Sequence, residues 1–315
     1  MKFLLLLIGL FLASAGGAAA QSCNFSVSTL NFGTVNLLSG SSVDGTATID
    51  ISCTNILSIS LAARLCLNLD AGTGGMGGGL RTMTSGANTL QYQLYRDAAW
   101  TIPWGHSDTP ALGTPHPLDI LLLPLTTVTT SKTIYARIIG SQPATPGGSY
   151  VSTFSGANIR FNMATYSITP PNCSAVLQNA SSPLFTVQAY VDRVCNLTAD
   201  DLNFGSRGLL KTQVDASSLV KVSCTLGLPY AIGLNGGLGN LAPAARKMTH
   251  SGQSITYGLY RDAARSLPWG SAVGQIAGGT GTGLLQNLTV YGRVPAQTTP
   301  SPGIYTDTVV VTVTY

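Results

Sequence analysis

The stretch LYRDAAWTIPWG, residues 94–105, returns as LYRDAARSLPWG at residues 259–270, with changes at three positions only. The flanking residues repeat as well, since residues 66–105 align without gaps to residues 231–270. A match of this length is typical of a duplicated domain and is too long for the unit of a solenoid array. The sequence therefore predicts two copies of one domain.

Short segments in both copies alternate apolar and polar residues, as strands do. Examples are TLQYQLY at residues 89–95 and TVVVTVTY at residues 308–315, and Ser-Gly, Gly-Gly and Pro-Gly turn signals separate such segments. The chain contains no Glu and few Lys, so it lacks the best surface helix formers and suits strands and turns. The prediction is an all-β protein built of β-sandwich domains.

The first twenty residues have the pattern of a secretory signal peptide. Lys2 precedes an apolar run, Phe3 to Leu12, that is too short to span a bilayer, and Ala18-x-Ala20 offers a cleavage site before Gln21. An uncleaved anchor is the alternative. The expected organisation is a signal peptide (1–20), a first domain (21–168), a linker (169–182) and a second domain (183–315).

Six cysteines behind a signal peptide favour disulfides in an oxidising compartment. The repeat suggests one staple in each copy and leaves a third pair that is specific to the first copy. Sequence alone does not fix the connectivity, and the expected pairs are Cys23–Cys53, Cys195–Cys224 and Cys66–Cys173.

The charge pattern and the scattered histidines give no case for nucleic acid, a metal or a cofactor. The net charge of +4 is spread without a basic run. A metal or catalytic group can be drawn from His106, Asp108 and His116, but nothing else in the sequence supports it. Asp97 and Asp262 occupy equivalent positions and are expected to be turn or cap residues. We therefore expect a protein that is not an enzyme.

The order of these motifs resembles the spore coat protein U domain family, which also forms the subunits of archaic chaperone–usher pili. The matching features are a Cys, then Leu-Asn-Phe-Gly from Leu30 or Leu202, a second Cys, Tyr-x-Leu-Tyr-x-Asp, and a Pro-Gly segment before a final strand. The resemblance implies immunoglobulin-like sandwiches that lack one strand. It also implies three partners: a periplasmic chaperone that fills the gap, an outer-membrane usher, and the next pilin subunit, whose donor strand replaces the chaperone.

Within that family, the layout resembles a two-domain tip adhesin. A polymerising subunit needs a donor segment before its first cysteine, and only Gln21 and Ser22 would precede Cys23 after signal cleavage. The expectation is a secreted protein, exported through the periplasm to a pilus tip at the cell surface, that accepts a donor strand and binds a hydrophobic or host surface. A structural spore-coat or extracellular matrix protein is the alternative.

Differences between the copies suggest where the first domain binds. The first copy has a longer segment between Cys53 and Cys66 and nine extra residues between Trp104 and Tyr135, and it has Trp100 where the second has Arg265. Long loops on a rigid sandwich are common recognition sites. The alternative is that these apolar side chains belong to the core. The candidate surface residues are Ile56, Leu57, Ile59, Trp100, Leu121, Leu122 and Leu123.

Overall fold

A computed structural model of the chain describes residues 21–178 and 181–315. The expected signal peptide, residues 1–20, lies outside the described residues. The first domain contains twelve strands: β1 (Gln21–Val27), β2 (Leu30–Val35), β3 (Val43–Asn55), β4 (Leu61–Leu69), β5 (Met76–Gly77), β6 (Leu80–Ser85), β7 (Asn88–Tyr95), β8 (His116–Leu122), β9 (Thr127–Ile138), β10 (Gly148–Phe154), β11 (Ile159–Tyr166) and β12 (Phe185–Val191). Single 3-10 turns occupy Leu37–Ser39, Pro110–Leu112 and Gly156–Asn158.

The second domain contains eight strands: β13 (Cys195–Ala199), β14 (Val214–Cys224), β15 (Pro229–Leu234), β16 (Arg246–His250), β17 (Gln253–Tyr260), β18 (Ala277–Thr280), β19 (Gln286–Val294) and β20 (Val311–Thr314). The described residues contain no helix long and apolar enough to cross a membrane.

Each domain is a sandwich of two sheets, which confirms the predicted fold class. In the first domain a large sheet, in the order β1-β3-β9-β7-β6-β10-β12-β2 with β5 beside β6, faces the sheet β11-β4-β8. In the second, β13-β14-β19-β17-β16 faces β18-β15-β20. All neighbours are antiparallel except β12 and β2, which run parallel.

Strand β3 illustrates how the sequence produces this packing. Ala47, Ile49, Ile51 and Cys53 alternate with polar residues and are buried, because successive side chains of a strand point to opposite faces. The two sheets meet across the core, where the rings of Phe25 on β1 and Phe161 on β11 lie 5.0 Å apart. Alternation therefore sets which face of the strand forms the core.

The three expected disulfides are confirmed: Cys23–Cys53, Cys66–Cys173 and Cys195–Cys224. The first and third bond the first strand of each domain to its long neighbour, in the same register of directly opposed residues. The second bonds β4 to the segment behind β11. The duplicated domains therefore share this disulfide bond as well as their strands.

The domain boundary differs from the one expected. Strand β12 was assigned to the second domain because that domain was expected to begin at residue 183, but it pairs with β10 and β2 of the first. Its inward residues Phe185, Val187, Ala189 and Val191 are buried in the first core. The first domain is therefore completed by a strand that comes after the expected linker.

The expected linker, residues 169–182, is not a free connection. Its Cys173 is bonded to β4, and Val176 is buried. Ser181 exchanges two backbone hydrogen bonds with Phe161 on β11, 2.8 and 2.9 Å long. The segment returns along the edge of β11 and leads the chain into β12.

Candidate binding surfaces

Two loops at one end of the first domain lie side by side. One joins β3 to β4 and the other joins β8 to β9. The amide nitrogen of Leu125 donates a 3.0 Å hydrogen bond to the carbonyl of Leu57, and the buried side chain of Asn55 joins both loops. The Asn55 amide donates to the carbonyls of Ile59 (2.8 Å) and Leu123 (3.1 Å). These loops form one surface, here called the apolar tip.

The apolar tip exposes large aliphatic side chains at close spacing. Five of them are 46–70% exposed, and Leu57 beside them is half-buried. They are Ile56, Ile59, Leu121, Leu123 and Leu125. Leu125 was not among the seven candidate residues, although it lies in the same insertion. Of the five exposed side chains, Leu121 lies on β8, where alternation turns its side chain outward, and the others lie in the loops.

Leu122 does not belong to this surface. It is fully buried and pairs with Leu61 on β4, with its side chain in the core. The period of two along β8 places Leu121 outside and Leu122 inside, so the run of three leucines cannot be exposed as a whole. Its inclusion among the surface candidates was wrong.

Trp100 lies apart from the apolar tip. Its ring stacks against the guanidinium of Arg137, 3.7 Å from the ring centre. Strand β9 begins at Thr127, beside the apolar tip, and Arg137 lies ten residues further along it. At the rise of a strand, the distance between these two residues is about 33 Å. In the second copy Arg265 stands in this place and pairs with Asp215. Trp100 is therefore better explained as packing on the sheet than as part of the tip.

The apolar tip lies at the end of the first domain remote from the second. Strand β9 starts at the tip and ends at Ile138, and the loop after it reaches the second domain through a backbone bridge from Pro146 to Leu226. Strand β12 likewise ends beside Val35 before the chain enters β13. The apolar tip is thus at the end of the molecule that faces away from the second domain.

The twelve-residue repeat forms the same structural unit in each domain. Asp97 accepts hydrogen bonds from the amides of Thr101 and Ile102, as Asp262 does from those of Ser266 and Leu267, and these bonds lower the pKa of each carboxyl. Both aspartates are turn caps, as expected.

A buried cation completes the same unit in each copy. The indole of Trp104 donates to Leu67, and the buried guanidinium of Arg81 donates to the carbonyl of Trp104. Trp269 and Arg246 repeat this arrangement. Burial lowers the pKa of Arg81 to about 10. The repeated stretch therefore makes the same packing arrangement in both domains.

Two histidines of the first domain are held by local contacts. His106 is buried, and its Nδ1 accepts a hydrogen bond from the amide of Asp108. His116 instead packs on Trp104, with ring centres 4.9 Å apart. Across residues 21–178 and 181–315, no group of three or more His, Cys, Asp or Glu side chains is arranged to hold a metal ion.

The second domain has an open groove where the first holds β12. Among its described residues, no strand corresponds to β2, β10 or β12. The equivalent of β2, residues 202–205, has no strand partner, and neither does most of residues 301–309, the equivalent of β10. Two edges that β12 joins in the first domain are therefore free in the second.

Apolar side chains line this groove. They are buried in the first domain and half-buried in the second. The equivalent pairs are Leu30 and Leu202, Phe32 and Phe204, Met83 and Met248, Leu90 and Ile255, Tyr150 and Tyr305, and Phe154 and Val309. In the first domain β12 covers them, for example where Phe185 stacks on Phe154 at 4.4 Å. The groove residues were not among the candidate site residues. The signal for them was present: both copies carry the lining, and the alternating run at residues 183–192 follows the first copy.

Comparison with known proteins identifies the family. The family model described as the Spore Coat Protein U domain matches residues 8–156 and again residues 182–312. The chain belongs to the Spore Coat Protein U domain family. A curated relative, Protein U of Myxococcus xanthus, is 34% identical over 128 residues, which cover 36% of this chain and 71% of that protein.

A solved structure shares the fold of this family member. The chaperone–tip adhesion subunit pre-assembly complex CsuC–CsuE, from archaic chaperone–usher Csu pili of Acinetobacter baumannii, matches with a TM-score of 0.52. The identity is 15%, and the match covers 93% of this chain and 100% of that chain, so it shows a common fold. The CupB6 tip adhesin of Pseudomonas aeruginosa matches at 11% identity over 93% and 94% of the two chains, with a TM-score of 0.39.

Proposed function

We propose that this protein is the adhesive tip subunit of a chaperone–usher pilus. Its second domain takes an extended strand from a partner, and the apolar tip of its first domain binds a hydrophobic or host surface. The observation that carries the proposal is the position of β12. This strand fills a groove of the first domain, and the equivalent groove of the second domain is open. The similarity in fold to a chaperone-bound tip subunit supports the same reading.

Strand addition explains what the open groove does. The free edges at residues 202–205 and 301–309 offer backbone donors and acceptors, and the half-buried lining offers pockets for alternate side chains. An uncovered groove of this kind is an aggregation hazard, so it needs an occupant during export. The first occupant would be a strand of a periplasmic chaperone, exchanged at the outer-membrane usher for the donor strand of the next subunit.

The apolar tip suits adhesion by burial of apolar surface. Its exposed side chains lie on paired loops that Asn55 fixes, so little ordering is needed on contact. Burial of apolar area contributes about 25 cal/mol per Å². Its position at the free end of the chain leaves it accessible when the second domain is docked on a pilus. The protein would be exported through the periplasm and displayed at the cell surface.

A structural coat or matrix role is the second candidate. The match to Protein U favours it, since that relative is the more similar in sequence. In this role the two domains would pack with other copies, and no chaperone would be needed. The two candidates differ in whether the second domain is stable without a partner strand.

The test is expression of residues 21–315 in a bacterial periplasm, alone and with a periplasmic pilus chaperone. The proposal predicts a one-to-one complex that Leu202→Asp or Val309→Asp abolishes, because each places a charge in the groove. Val310→Asp is the matched control, since Val310 is 54% exposed and points the other way. A soluble monomer that ignores the chaperone contradicts the proposal and favours the coat role.

A further inference from the structure

The acceptor segment, residues 301–309, is extended although almost no strand pairs with it. Its equivalent in the first domain, β10, pairs with β12 along its whole length, from Gly148 opposite Val191 to Phe154 opposite Phe185. In the acceptor segment the one bridge to a neighbouring strand joins Thr306 and Thr249. Something other than a strand partner holds this edge in place.

Two side-chain contacts hold the ends of the acceptor segment. Gln253 and Ser301 join at its start, where Gln253 donates to the Ser301 hydroxyl (3.0 Å) and accepts from the Ser301 amide (2.7 Å). Just beyond its other end, the Asn235 side chain accepts a 2.9 Å hydrogen bond from the amide of Val310.

Asp307 holds the middle of the acceptor segment. Its carboxylate accepts hydrogen bonds from the amide of Leu238 at 2.8 Å and from the phenol of Tyr257 at 2.6 Å. Gly237, with a φ of +74°, makes this approach possible, because a Cβ there would lie 2.1 Å from the carboxylate. Burial, and the bond to Asp307 after it, raise the pKa of Tyr257, so this phenol remains a donor. These three contacts are called the clamps.

The first domain lacks the two end clamps and holds the middle of β10 through neutral hydroxyls. Ser152 stands in place of Asp307 and accepts a 3.2 Å hydrogen bond from the amide of Gly74, and the hydroxyl of Thr73 accepts a 2.9 Å hydrogen bond from the amide of Thr153. Asn88 stands in place of Gln253 and Asp70 in place of Asn235. Among the described residues neither makes a side-chain hydrogen bond to β10 or the turn behind it. The two end clamps therefore occur in the domain whose groove is open and are missing from the domain whose groove is filled. The middle clamp is a carboxylate in the open domain, whereas neutral hydroxyls hold the same place in the filled one.

We propose that the clamps hold the acceptor segment extended and the groove open until a donor strand arrives. This inference rests on the proposed function. The occupant is an extended strand of another chain, running antiparallel to the acceptor segment as β12 runs to β10. Asp307 is a positioning residue in this process. Once the donor strand is in place, its ladder of backbone hydrogen bonds takes over, as it does for β10.

The clamps should matter in the empty groove and not in the filled one. An ordinary structural role would make them matter equally in both. The test therefore uses two forms of the chain from Gln21 to Tyr315. One is unmodified, and the other carries a copy of residues 183–192 joined behind Tyr315 by a flexible Gly/Ser linker. Amide hydrogen exchange of residues 301–309 is measured in each form.

The variant is Asp307→Ser, which installs the residue of the first domain. Loss of charge-assisted hydrogen bonds should speed exchange about tenfold or more in the empty form and less than about twofold in the filled form. The matched control is Asp262→Ser, which removes a carboxylate with a similar set of donors away from the groove and should change neither form. If the empty variant aggregates, soluble yield gives the comparison, and loss confined to the empty form is expected.

The possible failures are distinguishable. If the joined strand does not protect residues 301–309 in the unaltered chain, the groove does not take a strand, and the proposed function fails with the inference. If the strand protects them but Asp307→Ser speeds exchange equally in both forms, or in neither, only the clamp inference is overturned.

Discussion

Tyr150 and Tyr305 make the same hydrogen bond in different surroundings. Each phenol donates to the carbonyl four residues earlier, that of Pro146 at 2.9 Å and that of Ser301 at 2.8 Å. Tyr150 is 1% exposed beneath β12, whereas Tyr305 is only half-buried. Because the local bond is shared, the difference in burial is due to the strand that one domain has and the other lacks.

Val187→Asp in β12 should unfold or strongly destabilise the first domain. Val187 is fully buried opposite Ser152, and an unpaired charge there has no compensating partner. We expect a loss of about 3 kcal/mol or more in the free energy of unfolding, measured by chemical denaturation. Gln188→Asp, on the outward face of the same strand, is the control and should cost less than about 1 kcal/mol. Equal effects of the two changes would show that β12 does not complete the first core.

Ile56→Asp and Leu125→Asp should weaken adhesion without weakening the fold. Both side chains are exposed, so their replacement removes apolar contact area and leaves the core intact. Retention of the chaperone-bound protein on hydrophobic beads should fall about tenfold for the pair, while the free energy of unfolding changes by about 0.5 kcal/mol or less. Leu122→Ala is a control with the opposite expected result, because it should lower stability and leave retention unchanged.

Leu122 is buried, so Leu122→Ala should cost about 2–5 kcal/mol of stability. In the fraction that stays folded, bead retention should be unchanged. Retention that is indifferent to Ile56 and Leu125 would remove the apolar tip as the adhesive surface.

Asn55→Ala should loosen both loops of the apolar tip together. The buried amide donates to carbonyls on each loop, and its oxygen accepts from the amide of Leu57 at 3.0 Å. Leaving buried carbonyls without donors costs about 1–3 kcal/mol. Hydrogen exchange should rise in residues 56–60 and 123–126 together, with little change at β12. A rise in one loop alone would mean that Asn55 does not join them.

His116 should make the first domain sensitive to mild acid. Burial first, and then the charges of Arg96 and Lys132, lower its pKa from 6.5 to about 4. Between these values the unfolded chain binds a proton that the folded chain does not. The contribution of His116 to stability is therefore complete above about pH 6.5 and is lost as the pH falls toward about 4. The free energy of unfolding from pH 7 to 4 should fall less steeply in His116→Gln. A parallel dependence in the variant would assign the effect to other groups.

The duplication made much of the fold predictable. Alternation and turn signals predict sandwiches, and equivalent cysteines in two copies suggest the staples that pair Cys23 with Cys53 and Cys195 with Cys224. The remaining two cysteines then form the third bond. Each of these inferences uses a local pattern or the comparison of one copy with the other. None of them needs knowledge of how distant segments meet.

The place of β12 could not be read in the same way. The run FTVQAYV predicts a strand, but its alternation suits any sheet edge with an apolar face. In the sequence this strand comes directly before the second domain, but in the fold it packs in the groove of the first domain. The same limit applied to Leu121 and Leu122, where one step along β8 decides between solvent and core. Partner choice and facing are tertiary properties, and the sequence pattern leaves both open.

The most direct test of the account is hydrogen exchange of the whole chain, alone and bound to a pilus chaperone. If the second domain takes a partner strand, residues 202–205 and 301–309 exchange rapidly in the free chain and become protected in the complex. Their equivalents β2 and β10 should be protected in both states, because β12 already covers them. Protection of residues 202–205 and 301–309 in the free chain, or a complex that leaves them unprotected, would contradict the account.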